Sequence, residues 1–158
     1  MHISDIETPA LLVDIDLMQN NIQRMQDHCD SLGIAFRPHT KTHKIPEIAR
    51  MQLDAGAAGI ACQKVSEAEV FAAAGFNDIQ IPYNVVGASK TSRLADLALY
   101  NRISVTVDHV TVIAGLADAA KQDDMSIRVM IELATSLQRT GAQPFEVVTL
   151  AQRIEKEP

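Results

Sequence analysis

The constraint that most limits how this chain can fold is a repeated pattern. Short apolar runs begin at Ile34, Gly59, Ile79, Ser104 and Ile127. Stretches of helical character lie between and after them: Pro46 to Ala55, Ser66 to Ala74, Ser89 to Tyr100, Val110 to Gln122 and Pro144 to Glu155. Strands that alternate with helices of this length predict βα units, a parallel sheet and right-handed crossovers. The runs are apolar throughout, as in Ile127-Arg128-Val129-Met130-Ile131, which suits strands covered on both faces. Five such units are expected in the 158 residues. A closed (β/α)8 barrel needs eight units and typically about 250 residues. The pattern therefore leaves two α/β architectures open, a doubly wound sheet or the first part of a barrel.

Capping signals refine the boundaries. Ahead of the repeat, Pro9 precedes Ala10-Leu11-Leu12-Val13, which reads as a short leading strand. Asp16 is the expected N-cap of the next helix, with Gln19 completing a capping box. Leu17, Ile22, Met25 and Leu32 give that helix an approximate apolar face, and Gly33 is placed to end it. Ser66 and Glu69 form a second expected capping box, and Asp108 is the expected N-cap of the helix from Val110.

Composition narrows the function classes. At 47% hydrophobic residues the chain can bury a core, and its net charge of −6 argues against a nucleic-acid partner. No run approaches the roughly 18 apolar residues of a membrane span. No charged stretch followed by an apolar one opens the chain as a signal peptide would. Cys29 and Cys62 are the only cysteines and make no disulfide framework. These readings predict a cytoplasmic protein, one domain over residues 1–158, with no membrane or nucleic-acid partner.

The chemistry concentrates in Arg37-Pro38-His39-Thr40-Lys41-Thr42-His43-Lys44. The apolar Ile34-Ala35-Phe36 leads into it, and Pro46 follows in the position that opens a helix. A polar, cation-rich octapeptide thus falls at the carboxyl end of a predicted strand, where parallel α/β proteins bind ligands. Cations crowded together favour the neutral form of an amine among them, and a neutral lysine is a nucleophile toward aldehydes. A solvated basic loop is the plainer reading of the same residues. His39 and His43 have the i, i+4 spacing of a metal pair, but that spacing selects one face only on a helix, and this segment should be a loop. Further along, Gln63 and Lys64 follow the second run, and Tyr83 and Asn84 follow the third, at the same level. Glu67 and Glu69 read as partners of their helix start. Cys62 reads as a buried small residue.

Taken together, these motifs resemble the fold-type III pyridoxal-phosphate enzymes, in the branch of D-threonine aldolase, D-serine dehydratase and 3-hydroxyaspartate aldolase. Thr8-Pro9-Ala10-Leu11-Leu12-Val13-Asp14 is one. The octapeptide is similar to the branch's R-P-H-x-K-T-H-K and is the most specific. The third is Cys62-Gln63-Lys64-Val65-Ser66-Glu67-Ala68-Glu69, followed by Asn77-Asp78-Ile79 and Ile81-Pro82-Tyr83-Asn84-Val85-Val86-Gly87.

The resemblance implies an alanine racemase-like (β/α)8 barrel, present as an incomplete barrel of about five units. It implies that Lys41 is the catalytic residue and holds pyridoxal 5'-phosphate through its ε-amine. His39 is expected to point into the mouth and touch the cofactor or substrate. Gln63 either hydrogen-bonds the cofactor or its neighbours or is a core-rim residue. The resemblance places Arg139 near the ring's phenolic oxygen, against the plainer reading of a solvated arginine at a helix entrance. Arg139 lies in Glu132-Leu133-Ala134-Thr135-Ser136-Leu137-Gln138-Arg139-Thr140-Gly141, similar to E-x-D-T-G-x-x-R-x-G. Two positions depart from that pattern, Ala134 for aspartate and Ser136 for glycine.

The implied activity is a lyase that cleaves D-3-hydroxy-amino acids such as D-threonine to glycine and an aldehyde. The alternatives are a dehydratase of D-serine or 3-hydroxyaspartate and a non-catalytic half-barrel that binds the cofactor or assembles with another chain. The family's phosphate cradle lies late in the barrel, and its divalent-metal ligands lie in a carboxyl-terminal β-domain. Neither is expected in this chain, so no metal ligand is assigned. A homo-oligomer, or docking to that carboxyl-terminal part, is the expected partnership.

Overall fold

The computed structural model of the protein describes residues 2–135 and 139–157. Its frame is one parallel sheet of β1 (Ile60–Ala61), β2 (Asp78–Ile81), β3 (Arg102–Val107) and β4 (Arg128–Ile131), in the order β1-β2-β3-β4. Ile60 sits opposite Ile79, Ile79 opposite Ile103, and Val105 opposite Val129. A doubly wound sheet reverses its strand order at a switch point. This one adds each strand on the same side of the last, which is the winding of a barrel wall.

The run at Ile34 does not become a regular strand. It lies beside β1 all the same: Ala58 N donates to Phe36 O and Ala61 N to Pro38 O, each at 2.8 Å, and His39 bridges Ala61 in parallel. A parallel ladder would next have residue 38 donate back, and Pro38 has no N–H to give. The first of the five expected strands is present as a half-paired edge.

The helices are α1 (Ile15–Ser31), α2 (Pro46–Asp54), α3 (Val65–Ala73), α4 (Ala88–Tyr100), α5 (Val110–Gln122) and α6 (Val147–Ile154). The core gathers where α3, α4 and α5 cover the sheet, around Phe71, Phe76, Ile79, Leu94, Val105 and Leu116. Phe71 and Phe76 meet edge to face at 5.3 Å, and the Arg50 guanidinium stacks on Phe76 at 4.2 Å. Both contacts suit the ring's charge distribution.

Several sequence expectations are corrected. Residues 10–13 form no strand, and Leu11 is fully exposed. A strand needs a ladder partner, and no described residue pairs with this one. The N-cap of α1 is Asp14, whose Oδ1 accepts Leu17 N–H at 2.9 Å, whereas Asp16 lies inside the helix. Lys64 is the N-cap of α3 and makes no side-chain cap, so the Ser66–Glu69 box does not form. His39 of the octapeptide and His109 each cap a helical turn, His109 Nδ1 accepting Thr111 N–H at 3.1 Å, which leaves Asp108 for other work. The covered-strand expectation holds for β1 and for β3 after Arg102, but not for β4. Arg128 and Met130 are exposed there because β4 has a sheet neighbour on one side only.

Gly33 ends α1 with φ +65°, as its place in the sequence implied.

Candidate functional site

The octapeptide runs the height of the sheet instead of gathering its cations at one point. Arg37 turns back to the amino ends of β1 and β2. It pairs with Asp78 at 2.9 Å and donates to the carbonyls of Ile60 and Asp78 at 3.3 and 3.2 Å. Gly59 permits this approach, since a Cβ there would meet the guanidinium and come within 2.7 Å of Asp78 O. The expectation of crowded cations around Lys41 is therefore corrected. Arg37 is neutralised at the far end, and Lys44 pairs with Glu67 at 3.1 Å.

Lys41 occupies the middle of a 3-10 turn, Thr40–Thr42, at the carboxyl end of the half-paired edge. Its side chain is exposed, and its ammonium has no hydrogen bond or ion pair among the described residues. The turn closes through Lys44 N donating to Thr40 O at 2.8 Å. It is anchored at Thr40, which is fully buried and donates from Oγ1 to Ala61 O at 3.1 Å.

His39 is half-buried beside Lys41 and accepts the Lys41 backbone N–H on Nδ1 at 3.3 Å. Burial, then the Lys41 charge, holds its pKa below the ordinary 6.5, while Glu67, Ala61 and Gln63 pull the other way. A neutral ring with Nδ1 as acceptor carries its proton on Nε2. His43 points elsewhere, toward α2, and accepts Ile45 N–H at 3.0 Å. Among the described residues His43 Nε2 and Gln52 Oε1 are buried without a hydrogen-bond partner, and burial holds the His43 pKa below the ordinary 6.5, with Gln52 and Ile45 pulling the other way. The two histidines do not form a metal pair. Among the described residues, no group of three or more His, Cys, Asp or Glu side chains is close enough to hold a metal.

Gln63 is half-buried just past Ala61, the residue that His39 bridges. Beneath it, burial pushes the Cys62 thiol up to about 11, against the pull of the Thr40 hydroxyl 3.6 Å away. Such a thiol is inert. Gln63, Lys64, Tyr83, Asn84 and Lys90 line a cavity of about 260 Å³ at the strand ends, and Asn84 Oδ1 is buried with no hydrogen-bond partner among the described residues.

Arg139 is exposed in the segment after β4, four strand positions along from the Lys41 turn. Among the described residues no hydrogen bond joins it to Lys41, His39 or Gln63. Its neighbourhood is well built. Ala134 N donates to Ala142 O, and Ala142 N to Glu132 O, each at 2.8 Å. Thr140 donates to Glu132 at 2.7 Å. Ser136, the second departure from the family pattern, lies outside the described residues.

Sequence reasoning missed Asp108. It accepts Asn84 Nδ2–H at 2.7 Å and Gly141 N–H at 2.9 Å, so it joins the ends of β2, β3 and β4. It stood in the sequence as a helix cap, and no local pattern links it to a glycine 33 residues on. Thr40 was missed too, and only its place between two strand-end signals could have marked it.

Sequential parallel strands, with a lysine unpaired among the described residues at the carboxyl mouth, define a barrel-type α/β domain. The profile of the alanine racemase N-terminal domain matches residues 13–158, and the chain belongs to that family of pyridoxal-phosphate enzymes. It is 41% identical over 154 residues to a D-threonine aldolase of an Arthrobacter species, covering 97% of this chain and 41% of that protein. It is 37% identical over 142 residues to the D-threo-3-hydroxyaspartate dehydratase of Delftia sp. strain HT23, covering 86% and 36%. The crystal structure of a D-threonine aldolase from Filomicrobium marinum superposes with a TM-score of 0.95 at 39% identity, over 98% of this chain and 42% of the other. The chain thus spans about two fifths of the length of these relatives.

Proposed function

We propose that this chain is the lysine-bearing part of a pyridoxal-phosphate-dependent lyase that cleaves D-3-hydroxy-amino acids such as D-threonine to glycine and an aldehyde. The single observation that carries the reading is the exposed Lys41 ammonium, unpartnered among the described residues, at the carboxyl end of the half-paired edge beside β1. The surrounding groups fit a polar aromatic aldehyde. Gln63 and the buried, unpaired Asn84 Oδ1 are available for hydrogen bonds. Bound there, pyridoxal phosphate would supply an aldehyde for the amine and an electron-withdrawing ring to spread the charge left when a bond to the substrate's Cα breaks.

The chain's own residues do the rest. The Lys41 ammonium must lose a proton before its nitrogen can attack. A neutral His39 keeps a second cation away from it and leaves Nδ1 holding the Lys41 N–H. Gln63 and Asn84 orient, and Arg139, exposed after β4, is the further cation for the ring. The substrate is a small D-amino acid, and the divalent metal of the fuller relatives has no ligands assigned in this chain. Among the described residues no helix is long and apolar enough to cross a membrane, in keeping with a cytoplasmic enzyme.

Incubation with pyridoxal phosphate should give a violet-region absorbance band that borohydride converts to a permanent adduct. Mass spectrometry should map that adduct to Lys41, and Lys41→Ala should abolish it. An adduct mainly on Lys44, Lys64 or Lys90 overturns the assignment.

A second reading, a non-catalytic half-barrel that assembles with another chain, is favoured by one observation. Leu12, Val13, Leu17 and Met25 are exposed along a groove of about 540 Å³ between α1 and α2. Such patches mark interfaces. Light scattering after size exclusion tests it, and a sharp monomer peak across a hundredfold dilution counts against it.

A further inference from the structure

We infer that Glu67 is a positioning residue that latches the Lys41 turn to the neighbouring βα unit through Lys44. The inference rests on Lys41 being the reactive amine.

Glu67 is a carboxylate only 8% exposed in the first turn of α3. Burying a charge is costly unless it is paired and hydrogen-bonded. Glu67 is both: Oε2 accepts Gln63 N–H at 2.9 Å, and Oε1 meets Lys44 Nζ at 3.1 Å. Burial opposes its ionisation, but the Gln63 N–H, Lys44 and Lys64 outweigh this and lower its pKa. A helix start needs only the first of those bonds. The second goes to the residue that closes the Lys41 turn.

Lys44 is one of two non-glycine residues with positive φ among the described residues, at 56°. A side chain in that region is strained. Strain of this kind persists where surrounding contacts over-determine it. Here Lys44 N donates to Thr40 O, and Lys44 Nζ is held by Glu67. The turn thus has a tether at each end, Thr40 to Ala61 O before Lys41 and Lys44 to Glu67 after it. Both tethers reach the same βα unit, so the turn is held on both sides of Lys41.

The test compares Glu67→Gln, Lys44→Met and the double variant with the wild-type chain. Glu67→Gln keeps an acceptor for Gln63 N–H and removes only the charge. Lys44 is more than half exposed, so its methionine variant should fold. Hydrogen–deuterium exchange of the peptide 40–45 should quicken about fivefold in each single variant, with no further gain in the double. Trapping of pyridoxal phosphate at Lys41 should slow about tenfold, with partial recovery in Lys44→Arg. Unchanged exchange in both single variants overturns the latch, whatever the cofactor does. No adduct at Lys41 in the wild-type chain, with exchange still quickened in the single variants, removes the cofactor reading and keeps the latch as a structural device.

Discussion

The turn that carries Lys41 and the segment that carries Arg139 sit at the same end of the sheet and are held there by opposite means. The first is short, and side chains root it: a buried threonine hydroxyl on one flank and an ion pair on the other. The second is longer and is held mainly by backbone. Leu133 and Ala142 bridge in parallel, and Asp108 takes the Gly141 N–H. The difference shows how one mouth divides its labour. The amine's loop is fixed by neighbours one unit away, while the arginine's loop depends on contacts that cross three strand ends.

The comparison breaks most sharply at Gly141. Its φ is +104°, and a Cβ there would lie 2.6 Å from Ala134 N and 2.7 Å from Leu133 C. Gly141→Ala should cost about 3 kcal/mol in urea unfolding, because backbone must move to admit it. A loss under about 1 kcal/mol would show that backbone closure does not hold the arginine segment. Next is Asp108→Ala, which strands the Gly141 N–H and the Asn84 amide together. About 2 kcal/mol is expected, with Asp108→Asn intermediate. An equal loss in both variants would mean that the carboxylate's charge, not its two acceptors, matters.

On the other side of the comparison, Thr40→Val removes one buried hydroxyl from Ala61 O. The expected cost is about 1 kcal/mol, together with slower adduct formation at Lys41. Full stability with unchanged adduct rate would remove the first tether from the account. The smallest effect is that of pH. His39 and His43 are both held below the ordinary 6.5, chiefly by burial. The unfolded chain then binds protons more tightly, so their contribution is present above pH 6.5 and is lost as pH falls through the folded values. The thermal midpoint should decline between pH 7 and pH 5, and the slope should flatten in a His39→Asn variant. An unchanged slope in that variant would assign the decline to His43 and leave the Lys41 turn insensitive to acid.

Much of the fold was legible because helices and strands alternate with clear periodicity, and glycines such as Gly33 sit where helices stop. The half-paired edge was legible as an apolar run but not as a broken ladder, although Pro38 carries the reason in plain sight. Caps were read less well. Asp14 and Asp16 are equally good caps in isolation, and the extended backbone at Asp14 decides between them. At the site, Lys41, His39 and Gln63 could be grouped from their places after successive strands. Arg37 misled because sequence proximity to Lys41 says nothing of which end of the sheet a long side chain seeks. Asp108 and Glu67 were invisible as site residues, since their partners lie in other units and a carboxylate near a helix start has a cheaper explanation.

The reach of Arg37 bears on any attempt at transplantation. A designer who lifted residues 39–44 onto another barrel would carry over the amine and its turn but leave behind the anchor that sets the strand's height. Arg37, Gly59 and Asp78 form a socket at the base of the wall, and that socket fixes how far the segment rises before it bends. The portable module is therefore the octapeptide with the floor of the adjoining unit, not the loop alone.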